Sequence, residues 1–228
     1  MCSAAGRSGR RGSAARRLYP CREVVADAER PETEALVHQA CESGDQAKAT
    51  RLALELYGDE VLRYLVTLTH DETVANDAFA LFCEHLWRGI LRFRWEAKLR
   101  TWTYVVARNA LRIIGNDPYR RRAVPLSDAG VEALVEQLRS TTPEYLRTEA
   151  RDAVARLRQQ LDPQDQELLV LRIARRMSWI EIARVFAPES PEPDPEALKR
   201  EAARLRKRFQ RSKSALQSLL QEHGLVSE

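Results

Sequence analysis

From Trp102 to Ile114 the chain contains neither Pro nor Gly, and Trp102, Val106, Ala110 and Ile113 recur on one side at helical spacing. That period predicts a helix. Thr101, Arg108 and Arg112 form a polar strip on its opposite side, with Asn109 beside it. The residues just before, Arg94 to Leu99, have no clear period and predict a loop. Over Phe93 to Asn109, rings (Phe93, Trp95, Trp102, Tyr104) interleave with cations (Arg92, Arg94, Lys98, Arg100, Arg108). Rings offer stacking faces to unpaired bases at about 1–3 kcal/mol per base, while cations track the flanking phosphates. The residues alone are equally compatible with Phe93 and Trp102 as core and the arginines as a solvated face.

The same helical period runs through the rest of the sequence, broken by Gly and Pro. Glu32–Ser43 and Asp45–Thr69 read as helices separated by Ser43-Gly44, the second with a break expected near Gly58. From Asp71 to Ile90 a capped helix is predicted, with Val74, Ala78, Phe82 and Leu86 inward and Asp77, Leu81, Glu84 and Arg88 outward. Gly115-Asn-Asp-Pro118 stops the central helix, and the basic cluster Tyr119-Arg120-Arg121-Arg122 follows. Pro125 and Pro143 bound a linker that holds a short helical pattern, Val131–Leu138.

Helical spacing resumes over Glu144–Gln160. Asp162 then caps a new helix that has Pro163 at its first position. Ser178 and Glu181 form a capping box ahead of a helix ending near Phe186. A proline-rich, acidic insert, Ala187–Pro195, separates it from a last helix, Glu196 to about Gln221. Leu198, Ala202, Leu205, Phe209, Ser212, Leu216 and Leu219 make the apolar stripe of that helix. Lys199, Arg200, Arg204, Arg206, Lys207, Arg208, Arg211 and Lys213 lie opposite. The fold class expected is all-α, with two helical domains joined by a linker. The expected boundaries are a basic tail at 1–30, a first domain at 31–122, the linker at 123–145 and a second domain at 146–224.

The net charge is only +4, but basic residues crowd separate stretches, a distribution suited to gripping a polyanion at several places. Neither a Gly-rich phosphate loop nor an H-E-x-x-H motif is present, and the four histidines fall in separate contexts, so no enzyme is expected. Cys2, Cys21, Cys41 and Cys83 include no C-x-x-C pair, and no cofactor or metal is expected. No run approaches the roughly 20 apolar residues of a membrane span. Arg10-Arg11 is followed by no apolar stretch, and reduced thiols in a cytoplasmic protein are the expectation.

The stretch FRWEAKLRTWTYVVARNALR resembles the promoter-melting segment of the extracytoplasmic-function sigma factors of bacterial RNA polymerase, approximately F-R-G-E-A-x-L-R-T-W-L-Y-x-I-A-R-N. Phe93, Arg94, Glu96, Ala97, Leu99 to Trp102, Tyr104 and Ala107 to Asn109 match it, and Trp95 stands where the family often has Gly. Asp77, Cys83 and Trp87 align with the family's D-x-x-x-x-x-F-x-x-x-W spacing on the preceding helix, although Ala80 replaces its usual Gln. Ser178 to Ala183 is similar to the first helix of the family's helix-turn-helix, and RLRKRFQRSKSALQSLL to its second.

The resemblance implies sigma region 2 in the first domain and a region 4 helix-turn-helix in the second. It implies minus-ten contacts and melting by Arg94, Trp95, Glu96, Lys98, Arg100, Trp102, Arg108, Asn109 and Arg112. It implies minus-thirty-five contacts by Arg204, Arg206, Lys207, Arg208 and Arg211, and polymerase contacts by Asp77, Leu81, Glu84 and Arg88. Core RNA polymerase and promoter DNA are the implied partners, and an anti-sigma factor is a further candidate. Two other classes stay open from the residues themselves: a helix-turn-helix repressor or activator that binds duplex without polymerase, and an RNA-binding adaptor that reads shape.

Overall fold

The computed structural model describes residues 30–116, 128–139, 153–187 and 194–223. Among them every regular element is helical, so the protein is all-α. Helix α1 spans Arg30–Glu42, and Gly44 at φ +73° turns the chain into α2, Gln46–Thr69, where the Asp45 carboxylate caps the Lys48 amide. The residue at the C-terminal end of α2, His70, adopts left-handed geometry and donates its amide to the Val66 carbonyl. Asp71 then caps α3, Glu72–Gly89, as its position before an apolar-periodic run predicts.

Helix α2 does not break at Gly58. It continues through that glycine because α5, Ala129–Arg139, lies against it there. A Cβ on Gly58 would stand 2.6 Å from Leu138 Cδ1, so the missing side chain is the space into which α5 packs. The short helix expected in the linker is thus a structural part of the first helical group.

Helix α3 ends in one 3₁₀ turn, Ile90–Arg92, and a non-helical loop leads into α4, Leu99–Asn116. Helices α2, α3 and α4 pack on one another around Tyr64, Phe79, Phe82, Leu86, Leu99 and Tyr104, all fully buried. The apolar face of α3 is wider than its predicted stripe. Ala75, Phe79 and Cys83 are buried too, and so is Glu84, expected outward, whose carboxylate is held by Arg88 at 2.7 Å.

The second half contains α6, Ala153–Arg158, and α7, Pro163–Leu169, capped by Asp162. A π-helical turn, Val170–Ala174, continues α7 and is followed by Arg176 at φ +54°. Helix α8, Trp179–Phe186, opens with both hydrogen bonds of the Ser178–Glu181 capping box in place. Helix α9, Pro195–Glu222, crosses back over α8 and α7 and buries Leu198, Ala202, Leu205, Phe209 and Ser212 of the stripe read from its spacing, while Leu216 and Leu219, nearer its end, are half-buried. The tail up to residue 29, the cluster at 119–122, residues 144–152 and the centre of the proline-rich insert fall outside the described residues.

Gly58→Val, which adds bulk at the α2–α5 packing, is expected to destabilise the protein by about 1–3 kcal/mol. Hydrogen exchange should rise selectively in α5; an increase spread evenly over the chain would show that the two helices are not packed through this gap.

Candidate nucleic-acid interface

A short aromatic stack stands at the entrance of α4. Phe93 lies nearly parallel to Trp102, with centroids 4.8 Å apart and planes 22° apart. Trp95 leans on Phe93 at 4.9 Å and meets His38 of α1 edge-on at 4.5 Å. All three stack rings are half-buried, so each keeps part of its surface open. Gly89 makes room for this arrangement: a Cβ there would stand 3.1 Å from the Trp102 ring. Tyr104 is not part of the stack. It is fully buried, and its hydroxyl donates to Glu60 at 2.9 Å.

The loop before α4 is held in an unusual backbone shape. Trp95 has φ +62°, the left-handed region that an L side chain occupies at a cost of roughly 1–2 kcal/mol. The Gly that the family often has at this position adopts that geometry freely. The substitution therefore preserves the conformation that glycine allows, and ring contacts to Phe93 and His38 offset the local strain. Arg94, Glu96 and Lys98 alternate with the stack and are exposed, Arg94 lying 3.7 Å from Glu96.

The face of α4 assigned to a solvated polar strip is largely covered. Thr101 is buried, and Asn109 is half-buried. Arg100 donates through Nε to Glu60 at 3.0 Å and through a terminal nitrogen to the same carboxylate oxygen, while that nitrogen also reaches the Arg175 carbonyl at 2.9 Å. Arg108 donates to Glu167 of α7 at 2.8 Å, and its guanidinium lies 4.4 Å from the centre of the Phe186 ring. Tyr64 shares the same Glu167 oxygen at 2.6 Å. Lys98, at the loop, meets Glu181 of α8 at 3.0 Å. Of the cations expected to face DNA on α4, only Arg112 is exposed. Periodicity identifies the face and is silent on whether a distant part of the chain covers it.

Two buried carboxylates organise these cations, and their environments shift them in opposite directions. Burial pushes Glu60 up, but the Arg100 hydrogen bond and charge, with Arg175 and Tyr104, outweigh it and hold the carboxyl below its usual range. Glu167 is raised because burial prevails over Arg108 and Tyr64. Neither residue is among those the sequence reading selects, although Glu60 sits between Tyr57, Val61 and Tyr64 in an apolar run, the one signal that marks it.

On α9, Arg204, Arg206, Lys207 and Arg211 are exposed as expected, with Arg204 paired to Glu201 at 2.6 Å. Arg208 departs from the expectation. It turns back to Asp165 at 2.5 Å, Asp162 at 2.7 Å and Gln164 at 2.7 Å, which ties α9 to the start of α7. Of the residues expected to meet polymerase, Arg88 is exposed, Asp77 and Leu81 are half-buried and Glu84 is buried.

The model of sigma-70 region 2 matches residues 53–113, from within α2 to within α4, and so contains the stack, its loop and both arginines of α4 that the buried carboxylates hold. That match makes the segment a sigma-70 region 2 and supports a sigma factor of the sigma-70 family. Comparison with curated proteins gives no match. The match supports a role in transcription initiation by RNA polymerase, for which the family implies the polymerase and promoter DNA as partners. No described helix is long and apolar enough to cross a membrane. Among the described residues no group of acids, histidines and cysteines is arranged to hold a metal ion.

Trp95→Gly and Trp95→Ala both remove the ring, but only glycine relaxes the backbone. The sigma factor with Gly is expected to be about 1 kcal/mol more stable than that with Ala. Equal urea midpoints for the two would mean that φ at 95 is not held positive. Glu60→Ala leaves the half-buried Arg100 without its carboxylate and is expected to cost about 3 kcal/mol. Because the Glu60 carboxyl is depressed, its contribution is present at neutral pH and is lost as pH falls through that lowered value. The acid limb of a stability–pH curve should therefore be shallower in Glu60→Ala than in the parent.

Proposed function

We propose that this chain is a sigma factor of the extracytoplasmic-function type that opens the minus-ten element with the stack at the head of α4 and reads the minus-thirty-five element with α9. The observation that carries the reading is the coincidence of the sigma-70 region 2 match with a half-exposed aromatic stack beside Arg94 and Lys98. A base leaving the duplex gains a stacking surface on these rings, while the neighbouring cations hold its phosphates. Strand opening is then driven by binding energy, without covalent chemistry.

The geometry of the second half supports upstream recognition. Helix α9 packs on α8 through its apolar stripe and Trp179 meets Phe209 at 5.4 Å, so Arg206, Lys207 and Arg211 project from the opposite side. Arginine reads guanine O6 and N7 by two hydrogen bonds, and lysine serves phosphate as a point charge. Arg208, occupied by Asp162 and Asp165, is assigned to positioning α9 on α7 rather than to DNA. In this reading residues 31–122 are region 2, 123–145 the linker and 146–224 region 4. Asp77, Leu81 and Arg88 on α3 face core polymerase, and the protein works in the cytoplasm, where an anti-sigma factor is a candidate regulator.

With core polymerase, the protein should support run-off transcription and make promoter thymines reactive to permanganate. Replacing Trp95 and Trp102 by Ala should abolish that reactivity while polymerase still co-purifies; if reactivity and co-purification vanish together, the melting role is refuted. Replacing Arg206 and Arg211 should weaken upstream-element binding and lower the slope of log K against log salt by about 1 for each phosphate no longer neutralised. Duplex binding that needs no polymerase and yields no transcript would instead identify a repressor.

A further inference from the structure

The rings at the head of α4 touch one another in a row and leave no gap between them. Trp102 and Phe93 lie 4.8 Å apart, Phe93 and Trp95 4.9 Å, and Trp95 and His38 4.5 Å. Aromatic pairs in contact have centroids about 4.5–7 Å apart, so none of these spacings admits a third ring. Trp102 is also covered by α3, where a Cβ on Gly89 would stand 3.1 Å from its ring. An unpaired base that stacks here therefore has to take the place of a ring already present.

Three of the four rings are poorly suited to leave. Trp102 stands near the start of α4 among buried Leu99, Thr101 and Thr103, and His38 stands in the middle of α1 beside buried Val37. Phe93 is held by a ring neighbour at each of two contacts. Trp95 differs. It sits in a non-helical loop between exposed Arg94 and Glu96, and its backbone stands at φ +62°, so moving the indole away releases local strain. The indole is a flat, fused two-ring group, close in shape to a base.

We propose that Trp95 fills the seat of the extruded base in the free protein, clasped there by His38, and that the base stacks on Phe93 only after Trp95 has swung out. This rests on the strand-opening reading above. Phe93 and Trp102 are then the stacking surface that stays, Trp95 competes with the base, and His38 is a positioning residue that acts through Trp95. The affinity observed for unpaired DNA is the intrinsic one reduced by the fraction of molecules whose seat is empty. Glycine at 95 would leave the seat open, so the tryptophan raises the threshold for opening.

The test uses the full chain and a single-stranded oligonucleotide carrying one 2-aminopurine among thymines, whose fluorescence falls when that base stacks. Trp95→Gly empties the seat and suits the positive φ. His38→Ala leaves Trp95 in place without its clasp and is the second variant in case the first fails to fold, while His38→Phe restores a ring edge. Competition for the seat predicts about tenfold tighter binding with deeper quenching in Trp95→Gly, about threefold tighter binding in His38→Ala, and parent affinity in His38→Phe.

If Trp95 is itself part of the stacking surface, Trp95→Gly weakens binding about fivefold or more, the loss of one stacked ring, and that result would overturn the competition. Equal affinities of the parent and Trp95→Gly, or no quenching in either, would overturn it as well, as would a His38→Phe protein that behaves like His38→Ala. Failure of parent and variants alike to support run-off transcription with core polymerase would remove the sigma-factor reading, whereas the oligonucleotide titration would still decide whether Trp95 fills a base seat.

Discussion

Glu60 is the pivot of the first helical group. A carboxylate in the middle of an apolar helix face is costly to bury unless its oxygens are answered. Here Arg100 and Tyr104 of α4 answer one oxygen, and Arg30 of α1 lies 3.8 Å from the other. The requirement is directional, unlike the apolar packing around it, so it sets the rotation of α4 about its axis as well as its distance from α2. That rotation places Trp102 over Gly89 and aligns it with Phe93. The aromatic stack therefore depends on a buried charge that none of its rings touches.

The stack shows how a departure from a family pattern can conserve a shape. Glycine at position 95 would adopt positive φ without cost and pack against nothing. Tryptophan adopts it with strain and packs on two rings, one of them His38 of α1, outside the segment that matches sigma-70 region 2. The loop is thereby tied to the N-terminal helix by a side chain that glycine would not supply. Its rigidity comes from ring packing, and its conformation from the backbone that packing supports.

Much of the architecture is legible in the sequence because helix signals are local. The caps at Asp45, Asp71, Asp162 and Ser178, and the stripe from Leu198 to Ser212, depend on residues one to four positions apart. Gly58 misleads for the complementary reason: a glycine in a helix reads as a break until the partner that needs its missing side chain is known, and that partner is Leu138 of a helix far along the chain. The same local logic assigns Arg208 and Arg108 to solvated faces. Each is instead claimed by a carboxylate supplied from a remote helix.

The residues alone establish an all-α chain, the ends of most of its helices, the ring-and-cation segment and the basic side of the last helix. Each of these follows from spacing within one element and from the chemistry of the side chains it carries. Tertiary structure decides which cations stay exposed, which rings keep an open face and whether the two halves touch. Those outcomes depend on which groups meet across long intervals of sequence, and a buried carboxylate captures the guanidinium that reaches it whatever the local pattern reserved that cation for.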